Sequence, residues 1–212
     1  MISKIPRKGG GRVDSENVLR LDGKAALSAA VDAFFADVRR IFADKGLTRE
    51  SLAVLGEELG TLAGVIYGAG RLGEEVSGFS GPSRVLRTDP DGMTLVQVRF
   101  TAPREPAAVH EHRAWWVLRV VNGQELYTEY ERLDDGTREG YAELRPGQER
   151  LLVPGDVLIA LEPVIHLHAD YQGQTVDECM LVGENPGQNP FRRFDPRAKT
   201  TFVSPPRSYD SP

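Results

Sequence analysis

From about residue 80 onward the chain is cut into short apolar runs by closely spaced turn signals, and that rhythm constrains its fold more than any other feature. Val96, Val98 and Phe100 alternate with Gln97 and Arg99, the two-residue period of a half-buried strand. Trp115 to Val121 is largely apolar, Asn122-Gly123 interrupts it, and Gln124 to Arg132 resumes with Tyr127 and Tyr130. Asn-Gly between two such runs predicts a tight hairpin, because both turn residues favour positive φ. Asp135-Gly136, Pro146-Gly147, Pro154-Gly155 and Gly173 mark further turns, with short runs such as Val157–Leu161 and Val164–His168 between them. Many short strands at this spacing predict a mainly β antiparallel sandwich or barrel.

The period before residue 80 is helical. Leu27, Val31, Phe34, Val38 and Ile41 form one apolar stripe, with Asp22 as its predicted N-cap and Gly46 as its terminator. Leu52, Leu55, Leu59, Leu62 and Ile66 form a second stripe after the candidate cap Thr48. The expected organisation is a flexible arm over 1–20, a helical pair over 21–80, a barrel over 81–186 and a surface tail over 187–212. The 26 Lys+Arg and 31 Asp+Glu give a net charge of −5, which argues against a nucleic-acid binder. No run is long and apolar enough to suggest a membrane span. The single cysteine, Cys179, excludes an internal disulfide and a cysteine-built zinc site, and makes the cytoplasm the expected compartment.

Two motifs carry potential chemistry. Gly68-Ala69-Gly70-Arg71-Leu72-Gly73 matches GxGxxG, but the residues before it read as a helix end, and Glu74 to Pro82 make a poor helix with two carboxylates. A phosphate cradle needs a strand before and a helix opening after, so these glycines read as a helix terminator and loop. The histidines are more telling. The chain has four, His110, His112, His166 and His168, and they fall into two His-x-His pairs on predicted strands. Alternation points both members of each pair to one face, and facing strands could gather three or four neutral imidazoles at a point suited to a transition metal.

These residues resemble the cupin superfamily. Its first motif, G-x5-H-x-H-x3/4-E-x6-G, is matched by His110, His112 and Gly123, with Trp116 in place of the glutamate ligand and no leading glycine. Its second, G-x5-P-x-G-x2-H-x3-N, fits in two registers. One takes His166 as ligand, with Gly155 leading and Asp170 at the asparagine position; the other takes His168, with Pro163 as the proline and Gln172 at the asparagine position. The first is preferred. The resemblance implies a double-stranded β-helix, a jelly-roll barrel carrying the helical pair at its N-terminus. It also implies a metal held by His110, His112 and His166 without a carboxylate.

Cupins with that ligand set include the cysteine and 3-mercaptopropionate dioxygenases, and residues 80–202 resemble them further. Arg84-Val85-Leu86, Trp115, Gly123-Gln124-Glu125, Tyr130, Gly155-Asp156-Val157, Ile165-His166 and Arg193-Phe194-Asp195-Pro196 occupy similar places. The resemblance implies Fe(II), O2 and a small thiol carboxylate, with Arg84, or else Arg87, gripping the carboxylate. His168 is expected to stand beside the site as a donor to substrate, and Trp116 to line the interior. There are departures. Val117 stands where a crosslinking cysteine would fall, and Glu178 to Val182 read Glu-Cys-Met-Leu-Val where a Ser-His-Tyr array is usual. Two other functions stay open: C–C cleavage of a β-dicarbonyl-like substrate at the same three histidines, and a non-catalytic metal-binding cupin. The expected partners are a small molecule and O2, with neither nucleic acid nor membrane, and oligomeric state is not readable.

Overall fold

The computed structural model describes residues 15–68, 83–101, 108–186 and 188–205. Two helices, α1 (Ser15–Lys45) and α2 (Arg49–Gly68), precede the strands β1 (Ser83–Thr88), β2 (Thr94–Phe100), β3 (Val109–Glu111), β4 (Trp116–Asn122), β5 (Glu125–Arg132) and β6 (Leu144–Leu152). Then come β7 (Val157–Ala160), β8 (Ile165–Asp170), β9 (Val176–Val182), β10 (Arg192–Asp195) and β11 (Thr200–Val203). They form two antiparallel sheets, ordered β1-β2-β9-β4-β7 and β11-β10-β3-β8-β5-β6. From β2 to β10 the chain passes back and forth between the sheets, apart from the β5–β6 hairpin. This is the jelly-roll architecture.

The two faces of the first sheet have different coverings. Val96, Val98, Trp116, Leu118, Val120, Met180 and Val182 point inward and fill the barrel with Tyr127, Leu152 and Leu158. Their neighbours Leu95, Val117, Cys179 and Leu181 point outward into a second core with the helical stripe residues. Burial on both faces explains why β9 is buried at every position. Leu52, Leu55 and Leu59 are fully buried there, each worth about 1.5–3 kcal/mol relative to exposure. The helices are joined as predicted. Gly46, at φ 67°, ends α1 with its N–H on Phe42 O (2.9 Å), the left-handed terminator that glycine favours. Thr48 caps α2: its Oγ1 accepts from Ser51 N–H (3.1 Å) while Ser51 Oγ accepts from Thr48 N–H (2.9 Å).

Several expectations are corrected. Asp22 lies inside α1, which already begins at Ser15. Asn122-Gly123 does not close a hairpin. Both edges of β4 are already paired, with β7 and β9, so β5 crosses to the other sheet. Gly123 makes the crossing at φ 76°, where a Cβ would lie 2.1 Å from Thr175 O. Pro146-Gly147 is not a turn either. It sits inside β6 at a register shift opposite Thr128 and Tyr130, and β6 is an edge strand, where a missing N–H is tolerated. Residues 192–203 are not a surface tail, because β10 pairs with β3 and β11 with β10. The Ala69–Gly73 part of the GxGxxG segment and the first 14 residues of the arm lie outside the described residues. Among the described residues, no helix is long and apolar enough to cross a membrane.

Candidate metal centre

The pairing of β3 with β8 places His110 opposite His166. His112, just past the end of β3, returns to the same face, and the three imidazoles meet inside the barrel. Their ring centroids are 4.4 Å (His110–His166), 5.1 Å (His110–His112) and 5.4 Å (His112–His166) apart. One nitrogen from each lies within 4.8 Å of the others. Three donors about 2.1 Å from a common ion fit inside that limit, so the cluster suits a single metal.

Hydrogen bonds favour ligation through the other nitrogen. His110 Nδ1–H donates to Ala108 O and His166 Nδ1–H to Val164 O, each at 2.9 Å. A carbonyl can only accept, so Nδ1 carries the proton in both rings and Nε2 keeps its lone pair. Burial lowers the pKa of all three rings, that of His110 to about 4, where nearby Arg193 also disfavours the cation. All three are therefore neutral at pH 7, as a metal ligand must be. Trp116 packs 6.1 Å from His112 and 5.4 Å from His166, Tyr127 lies 5.7 Å from His166, and Phe191 lies 5.6 Å from His110. These rings make an apolar wall. Trp116 faces inward as alternation predicts, and Trp115 faces out to stack edge-on with Phe42 at 5.3 Å.

His168 shares the inward face of β8 with His166, but it is engaged elsewhere. Its Nδ1–H donates to Glu125 Oε1 (2.7 Å), and Glu178 Oε1 lies 3.8 Å away. All three side chains are buried, Glu125 at 0% and Glu178 at 1% exposure, so this second cluster is sealed within the barrel. The rings of His166 and His168 are 5.2 Å apart. Two polar clusters therefore adjoin: three imidazoles, and a histidine held by carboxylates.

Arg84 is not brought to the centre. It pairs with Gln97, which pairs with Cys179 on the outward, helix-facing side of the sheet, whereas the neighbouring Val96 and Val98 point into the barrel. Arg87 lies on that outward side too, opposite Leu95 across a bulge. Its Nε–H donates to Asp89 (2.6 Å) and its guanidinium lies 4.6 Å over the Phe35 ring, tying the sheet to α1. Neither arginine can grip a ligand at the histidines, because the sheet lies between. Among the described residues, Arg193 on β10 lies on the histidine face opposite His110, and Arg150 on β6 lies on it opposite Tyr127.

No protein-family model matches the chain, and no curated protein matches it. Among solved structures it is similar to a cupin-like protein of Thermotoga maritima, at 18% identity over 61% of this chain and 97% of that one, with a TM-score of 0.40. It is also similar to a cupin superfamily protein of Desulfitobacterium hafniense (20% identity, 47% and 73% of the two chains, TM-score 0.32) and to an oxalate oxidase (19%, 54% and 57%, TM-score 0.38). The two antiparallel sheets by themselves define a jelly roll. Within this jelly roll, reading the sequence missed Glu125, Glu178 and Arg193 as site residues. The available signal was strand parity: Glu125 alternates into the interior with Tyr127, Glu178 with Met180, and Arg193 falls on the face opposite to Phe194.

Proposed function

We propose that this chain is a three-histidine, iron(II)-dependent cupin dioxygenase that oxidises a small thiol carboxylate to a sulfinate. The observation that supports this reading most is a set of three converging neutral imidazoles with Trp116 where a carboxylate ligand would stand. Neutral ligands leave a bound dication its full charge, which favours an anionic, chelating substrate. Fe(II), when bound there, supplies the one-electron chemistry that lets a spin-paired thiol react with O2. In the net reaction both oxygen atoms pass to sulfur; the sulfur is oxidised, O2 is fully reduced and no external reductant is consumed. The chain's own residues orient and enclose. Trp116, Tyr127 and Phe191 exclude water from one side, and His168, fixed through Glu125, presents its ring beside His166. The test is metal analysis followed by oxygen-electrode measurements with 3-mercaptopropionate, cysteine and cysteamine. Iron-dependent uptake with stoichiometric sulfinate is expected; iron-loaded protein that consumes no O2 with any of the three refutes the thiol reading.

A second reading, cleavage of a C–C bond in a β-dicarbonyl substrate, is favoured by the apolar wall and by β9, which turns Glu178 and Met180 inward in place of a Ser-His-Tyr array. Acetylacetone added to the iron form distinguishes the two, because only this second reading expects O2-dependent loss of the diketone.

A further inference from the structure

Trp116 carries one polar atom into the barrel, and the protein does not satisfy it. The side chain is 2% exposed, and among the described residues no acceptor reaches its indole Nε1–H. A buried donor left without an acceptor costs free energy, because it has given up its hydrogen bond to water. Indole is a donor and not an acceptor, so whatever completes it must bring a lone pair. The surroundings narrow where that lone pair comes from. Trp116 pairs with Ala160 on one side and Val182 on the other, and it packs in the barrel with Val96, Val98 and Leu118. Those side chains hold neither oxygen nor nitrogen. The rings beside it belong to His166 and His112, at 5.4 and 6.1 Å between centroids. His166 directs its Nδ1–H at Val164 O, which leaves Nε2 as its ligand atom. The indole therefore borders two of the three candidate ligands, and an atom bound to an ion between them lies on the polar side of the ring.

We infer that the Trp116 N–H is the hydrogen-bond donor to the atom through which a ligand meets the metal. That fixes the class of ligand: its metal-bound atom has lost its proton and keeps a lone pair, as a thiolate sulfur or an enolate oxygen does. A metal-bound amine or imidazole nitrogen has no lone pair left and leaves the indole unanswered. The inference rests on the histidine centre of the proposed function, and it does not require that the substrate be a thiol. The N–H dipole and a dication held by neutral imidazoles favour negative charge at the same atom. Because β4 is paired on both edges and the indole is packed among rings, little freedom is lost when the ligand binds.

The test is indole proton–nitrogen NMR of the zinc-loaded protein, which binds ligands without turning over. The chain has two tryptophans, so two indole N–H signals are expected. Loss of one in Trp116→Phe assigns it, and Trp115→Phe assigns the pair independently should the first variant not fold. Addition of 3-mercaptopropionate or acetylacetone should move the Trp116 signal downfield and leave that of Trp115, which packs on Phe42 outside the barrel, in place. In calorimetric titration, Trp116→Phe should bind these probes about 10-fold more weakly and bind imidazole with unchanged affinity. Circular dichroism and zinc content show whether the variant is folded and loaded. Failure of 3-mercaptopropionate to bind, with acetylacetone still shifting the Trp116 signal, refutes the thiol reading and keeps this one. A Trp116 signal unmoved by a bound probe, an equal loss of imidazole affinity in Trp116→Phe, or zinc-loaded protein that binds neither probe overturns the inference.

Discussion

Replacing the two histidines of β8 separately asks which of them completes the metal centre. His166 offers a lone pair to the centre with its Nδ1–H fixed on Val164 O, whereas the Nδ1–H of His168 is directed at Glu125. Four-ligand zinc sites bind with about 10–16 kcal/mol, or roughly 3–4 kcal/mol per ligand. His166→Ala should therefore weaken metal binding about 100- to 1,000-fold. His168→Ala removes no ligand and should weaken it less than about 10-fold, since its ring contacts His166 without bonding to it. It should instead destabilise the fold by about 3–5 kcal/mol, because the buried Glu125 loses its imidazole partner. Turnover should also fall in this variant. Chelator-competition titration gives the affinities, and thermal melting of the metal-free variants gives the stabilities. Equal metal loss in both variants would show a four-histidine site, and loss in His168→Ala alone would refute the ligand assignment.

Acid should loosen the metal-free protein through its buried histidines. The folded state holds His110 at a pKa of about 4 against about 6.5 in the unfolded chain, so below pH 6.5 the unfolded state binds more protons and stability falls with pH. The loss approaches about 3 kcal/mol for this residue by pH 4, and denaturant midpoints across pH 7 to 4 check it. Gly123→Ala should cost at least about 2 kcal/mol, since its φ is 76° and the new Cβ would strike Thr175 O; an unchanged denaturation midpoint would contradict the crossing described. Arg84→Ala should leave calorimetric affinity for 3-mercaptopropionate unchanged, because Arg84 faces away from the histidines; a drop of 10-fold or more would contradict that orientation.

Local periodicity alone determined a good deal of this protein. The stripes Leu27–Ile41 and Leu52–Ile66, the caps at Gly46 and Thr48, and the inward alternation of Val96, Val98 and Phe100 all follow from side-chain spacing and short-range backbone chemistry. So does the pairing of His110 with His112 on one face, because a strand returns every second residue to the same side. What periodicity cannot carry is which strand lies beside which, and that depends on contacts between residues far apart in sequence. Asn122-Gly123 has the composition of a hairpin, yet both edges of β4 were taken by β7 and β9, so the turn became a crossing between sheets. Arg84 occupies the position the motif expects, but its strand joined the helix-covered sheet with that side chain outward. Arg193, in a segment expected to wrap the surface, was carried to the imidazoles because β10 found the open edge of β3. Glu125 and Glu178, on strands of different sheets, converge on His168 only because the barrel closes the two sheets face to face. Spacing within the chain decided which residues share a face, and tertiary pairing decided which of those faces meet.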